Sequence, residues 1–126
     1  MPPAQPPRTI YDEARAQPEH VVAEVLEGRL HLNRLPGSYA ALAKTNLTAL
    51  LFKAFTRGEG GPGAWWVLPG VEVALGADLL VPDLAAWQKP RVPRIFDHPS
   101  VHTAPDWVCE IVTASTRAFD LADLWS

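Results

Sequence analysis

The stretch Asp106-Trp107-Val108-Cys109-Glu110-Ile111-Val112 decides how this chain reads. Its apolar residues predict a strand buried on both faces, and Glu110 interrupts them. An ionised carboxylate in such a run is costly unless it is paired, hydrogen-bonded or bound to a metal. Folding alone would place Val or Ile there. Two accounts stay open at this point. Glu110 is a structural carboxylate, held by a nearby arginine or set where a strand end reaches water, or it is there for chemistry.

Working outward, the apolar strand Leu79-Leu80-Val81 leads into Pro82-Asp83. Proline has no N–H to donate, so it is expected to stop the ladder and leave Asp83 projecting from a rigid element. Asp83 could equally serve as a turn aspartate bonded to its own backbone. Two carboxylates from adjacent strands would suffice for Mg²⁺, which prefers oxygen ligands and keeps several waters.

The rest of the chain supplies a scaffold. Residues 1–8, rich in proline, read as a disordered lead-in, with a single domain over 9–126. Thr9 can cap a short helix through Ala16. Val21–Leu26 and Arg29–Leu32 flank Glu27-Gly28, which predicts a hairpin. Ser38 is the expected N-cap of the longest helix, with Tyr39, Ala43, Leu47, Leu50, Leu51 and Ala54 as its apolar face and Gly58 at its end. Trp65–Leu68 and Val71–Leu75 read as strands, Gln88–Thr103 as a long loop, and Thr113–Thr116 as the cap of a final short helix.

Composition narrows the function classes. The 126 residues suit one domain, and no apolar run is long enough to cross a membrane. The start MPPAQPPR lacks the apolar centre of a signal peptide, and a single cysteine suits a reducing compartment, so a cytoplasmic protein is expected. A net charge of −3 gives no global pull toward nucleic acid, although a local basic patch can outweigh the total. The glycines between Gly58 and Gly63 lack the Gly-Lys-Ser/Thr ending of a phosphate loop.

Val81-Pro82-Asp83-Leu84, then Ala104-Pro105-Asp106 through Val112 and Ser115-Thr116-Arg117, together resemble the Uma-type restriction-endonuclease family of the PD-(D/E)XK nuclease superfamily. That family shows a "PDL" element, an "APDLVVEILSPST" element and a following aspartate, matched by Asp120. Glu24–Leu30 is similar to its "ELIDGEL" hairpin, and Val71–Leu75 to the strand before its metal aspartate. The resemblance runs from about Tyr11 to the C-terminus. It implies an α/β restriction-endonuclease-like core, a mixed sheet flanked by helices, with its C-terminal part missing. It also implies that Asp83 and Glu110 bind Mg²⁺ or Mn²⁺, assisted by the backbone carbonyl of Ile111 or Val112, and that Glu24 is a further acidic ligand or water partner. The implied reaction is hydrolysis of a DNA phosphodiester.

The chain departs from that pattern in two ways. The superfamily lysine, two residues past the glutamate, is here Val112; the Uma-type position on the following helix falls near Leu124, and no lysine follows Lys89. Arg117 could supply charge there but not a base. Family members also continue beyond the point matching Ser126. The expectation is therefore a shortened copy with weak or absent catalysis. The alternative is a non-catalytic remnant or binding module that keeps the fold, with homodimerisation a way to cover an incomplete sheet edge.

Other signals are weaker. His98 and His102 have a helical zinc spacing, but Pro99 lies between them. Cys109 reads as core, and His20 and His31 as solvated or partly packed strand residues. Lys89, Arg91 and Arg94 form a basic loop that could meet phosphates or be merely solvated. Trp65, Trp66, Trp87 and Trp107 could stack on bases, but Trp65 or Trp66, and Trp107, are read as core.

Overall fold

The computed structural model describes residues 9–19, 21–34 and 37–112. The lead-in, His20, the final helix, and Ser115, Thr116, Arg117 and Asp120 lie outside the described residues.

Helix α1 spans Ile10–Arg15 and begins with a reciprocal cap. The Asp12 N–H donates to Thr9 Oγ1 at 3.1 Å, and the Thr9 N–H donates to Asp12 Oδ2 at 3.0 Å. Strands β1 (Val21–Leu26) and β2 (Arg29–Arg34) form the expected hairpin. Its turn residues Glu27 and Gly28 both have positive φ, 51° and 75°, which matches the right-handed twist of the flanking strands. The left-handed Glu27 is held by its N–H, which donates to Asp78 Oδ1 at 3.0 Å.

Helix α2 spans Ser38–Leu51 and passes into a π-helical turn, Phe52–Thr56. Gly37 is its N-cap and makes no side-chain capping bond, so Ser38 is the first helical residue and not the cap. The apolar face is also narrower than the sequence predicts. Leu47, Leu51 and Phe55 pack on the sheet, while Tyr39 is 91% exposed and Leu50 69%. Helical spacing alone marks a stripe but does not say which edge of it meets the core.

The remaining strands are β3 (Trp65–Pro69), β4 (Val73–Leu75), β5 (Asp78–Leu80), β6 (Leu84–Gln88) and β7 (Trp107–Cys109). They form a four-stranded sheet, β2-β1-β5-β4, and a three-stranded sheet, β3-β6-β7. Among the described residues every ladder is antiparallel, and one isolated parallel bridge joins Val73 to Val101. The architecture is α/β.

Strand β6 is the centre of its sheet, and sequence reasoning assigns it no element. Ala85 and Ala86 are weak strand formers, and Pro82 reads as an ending rather than a lead-in. Its side chains alternate between two cores. Ala85 and Trp87 join Val73, Ile95 and Val101 on one side. Leu84 and Ala86 join Val67 beneath α2 on the other. Trp87 is fully buried, and its indole N–H donates to the Thr103 carbonyl at 2.8 Å. Among the described residues the fully buried tryptophan is Trp87; Trp65 and Trp66 pack against the cores as expected, whereas Trp107, on the outer strand, is 41% exposed. Between β6 and β7 the chain forms no further strand or helix, yet Ile95 and Val101 pin that long connection into the core.

Candidate metal and phosphodiester site

Asp83 does not end a strand; it stands immediately before β6. Glu110 stands immediately after β7, half-buried; β7 is a three-residue strand with no fully buried residue, so the strand buried on both faces expected around Glu110 is not formed. The strand register makes these two positions neighbours. Leu84 pairs with Cys109 as the last pair of that ladder, so Asp83 and Glu110 are the next residue on each chain segment beyond it. The same gap is crossed by a hydrogen bond, the Ile111 N–H donating to Asp83 Oδ2 at 2.7 Å. The Cys109 thiol registers both acids. Burial pushes its pKa up, and the negative charges of Asp83 and then Glu110 push it further in the same direction.

Glu24 lies upstream of this pair. It is buried in β1 with 3% exposure, and its Oε2 accepts the Val81 N–H at 2.8 Å. That bond fixes the segment between β5 and Asp83, because a buried carboxylate that takes a backbone donor holds the donor in place. Val112, whose carbonyl the resemblance implies as a ligand, is 41% exposed beyond Glu110.

The basic groups are arranged in a way the sequence does not disclose. Lys44 reaches from α2 to within 4.0 Å of Asp83 Oδ1, with about a quarter of each side chain exposed. It crosses over Gly70, where an added Cβ would lie 3.5 Å from the Lys44 ammonium. No spacing in the sequence links residue 44 to residue 83; only the packing of α2 on β3 and β6 does. The basic loop, by contrast, is internally engaged. Arg91 pairs with Asp106 at 3.1 Å and Arg94 with Asp97 at 2.7 Å. Lys89 donates to the Thr56 carbonyl at 3.2 Å and lies 4.7 Å from the Trp66 ring centroid. The cluster is thus tied to neighbouring protein groups and is not simply a solvated loop.

Asp83 and Glu110 offer oxygen donors of the kind a hard divalent cation takes, and Mg²⁺ asks for only one or two carboxylates beside its waters. Among the described residues no group of three or more His, Cys, Asp and Glu side chains is gathered to hold a metal. His98 and His102 meet edge to face at 5.9 Å between centroids and belong to no such group.

No family model and no curated protein matches the chain. Among solved structures, the crystal structure of a protein from Anabaena variabilis ATCC 29413, described as a "putative nuclease belonging to DUF820", is similar with a TM-score of 0.67 and 17% identity. The two chains share a fold. The similarity covers 86% of this chain, which spans 60% of the length of that nuclease-type structure. Among the described residues no helix is long and apolar enough to cross a membrane.

Proposed function

We propose that this chain is a nuclease-type protein of the Uma kind, in which Asp83 and Glu110 hold Mg²⁺ or Mn²⁺ against a DNA phosphodiester. The observation that supports this most directly is the β6–β7 register, whose last pair, Leu84 and Cys109, is flanked by the two acids. The likeness in fold to a nuclease-type structure supports it independently. A divalent cation at that position supplies a nucleophile at neutral pH and offsets charge gathering on the phosphate oxygens. The protein's own part is to orient: Ile111 N–H fixes one oxygen of Asp83, and Glu24 fixes the segment before it.

Turnover is expected to be weak or absent, because one Asp83 oxygen already accepts the Ile111 N–H and the other faces Lys44. That same engagement favours the second reading, a non-catalytic remnant that keeps the fold for binding. A plasmid-nicking assay with Mg²⁺ or Mn²⁺, run on wild type and Asp83→Ala, separates them. Metal-dependent nicking lost in Asp83→Ala supports the endonuclease. No nicking, with no Mn²⁺ binding by calorimetry, leaves the remnant.

A further inference from the structure

The segment from Ser38 to Gly58 contains Lys44, Lys53 and Arg57 and no aspartate or glutamate, in a chain whose net charge is −3. These three cations line one open groove of about 740 Å³ along α2 and the π-helical turn, closed on its far side by Pro69 of β3. Thr45 and Thr48 also line it, but their hydroxyls donate to the carbonyls of Ala41 and Lys44 at 2.9 and 2.6 Å. The donors left for a ligand are therefore the ammonium and guanidinium groups. Arg57 has an exposed ion pair with Glu59 at 3.2 Å, a contact of small worth that a phosphate can displace. Lys53 makes no ion pair among the described residues. Lys44 stands at the end of the groove that adjoins Asp83.

We propose that this groove is the track for the phosphate backbone of duplex DNA, leading one strand to Asp83 and Glu110. The proposal rests on the nucleic-acid reading above and deepens it by naming where the polyanion lies. From residue 44 to residue 57 the helix axis advances about 20 Å, roughly six nucleotide rises of one strand. A run of cations over that length, on a helical segment that itself contributes no acidic side chain, is the electrostatic footprint of a backbone binder. Lys44 has a double position, at the end of the track and beside the carboxylate, so it offsets the repulsion between Asp83 and an approaching phosphate.

The test is fluorescence anisotropy of a short labelled DNA duplex in EDTA, titrated at several salt concentrations. Lys53→Gln/Arg57→Gln is compared with wild type and with Arg94→Gln, a control at an exposed arginine outside the groove. Each phosphate contact contributes about 0.9 to the slope of log K against log salt, so the double variant is expected to lose about 1.8 of that slope while Arg94→Gln keeps it. Both altered groove positions are exposed, and circular dichroism checks that the variant remains folded. Salt-sensitive binding with an unchanged slope in the double variant overturns the groove and leaves the DNA reading standing. Absence of salt-sensitive binding by wild type removes the DNA reading itself, and the groove with it.

Discussion

The main-chain N–H of Ile111 donates to Asp83 Oδ2 at 2.7 Å, so the acid at the head of β6 is fastened to the residue just beyond Glu110. Asp83 therefore has a structural duty as well as its proposed metal duty, and substitutions separate the two. Asp83→Ala is expected to cost about 1–2 kcal/mol in urea unfolding, the worth of a part-buried bond to a charged acceptor. Asp83→Asn keeps an acceptor oxygen and should cost less. Both should remove the calorimetric heat of Mn²⁺ binding. Heat that survives Asp83→Ala would place the cation elsewhere.

Glu24 is assigned a positioning role, since its carboxylate is buried against the Val81 N–H. Glu24→Ala leaves that donor without its acceptor and should destabilise by about 2–3 kcal/mol. Glu24→Gln restores an oxygen and should recover much of the loss. Mn²⁺ affinity in the folded Glu24→Gln variant should stay close to wild type. A loss as complete as that in Asp83→Ala would make Glu24 a ligand instead.

Cys109 offers a chemical gauge of how closely the two acids converge. Its thiol is held above its ordinary pKa by burial first, then by Asp83 and Glu110. Removing a negative neighbour lowers the pKa, raises the thiolate fraction and speeds alkylation. Glu110→Gln should thus react severalfold faster with iodoacetamide under mildly alkaline conditions. Saturating Mg²⁺ should speed the wild type in the same direction, since a bound cation cancels the same field. Equal rates in all three samples would count against a shared site.

The hairpin, α1 and strands β3 to β5 were legible because local signals fix them: a turn at Glu27-Gly28, a cap at Thr9, and period-two alternation around Val73. Asp83 and Glu110 were legible as anomalies in apolar surroundings. Strand β6 was not, because Ala85-Ala86 carries little strand preference and owes its place to two cores that press on it from both sides. Glu110 is only half-buried despite its apolar flanks, because β7 ends one residue before it. Lys44 was illegible in principle. Its partner lies far along the chain, and only the seating of α2 brings them together.

Asp106 gives the fold a dependence on pH whose sign can be worked out. Its Oδ2 accepts the Gln88 N–H at 2.9 Å, and Arg91 Nε lies 3.1 Å from Oδ1, so the carboxylate closes the base of the long connection between β6 and β7. The Gln88 N–H lowers its pKa from the ordinary value of 3.8, burial partly opposes that, and the hydrogen bond and charge of Arg91 add smaller downward pulls. A carboxyl depressed in the folded state contributes stability that is present above its unfolded pKa, and that contribution fades as pH falls through the folded value. The window therefore opens at about pH 4 and extends downward. Asp106→Asn should lower the urea midpoint at about pH 7, and the gap from wild type should narrow progressively as pH falls below about 4. A gap that stays constant across that range would show that shape, rather than charge, sets the contribution of Asp106.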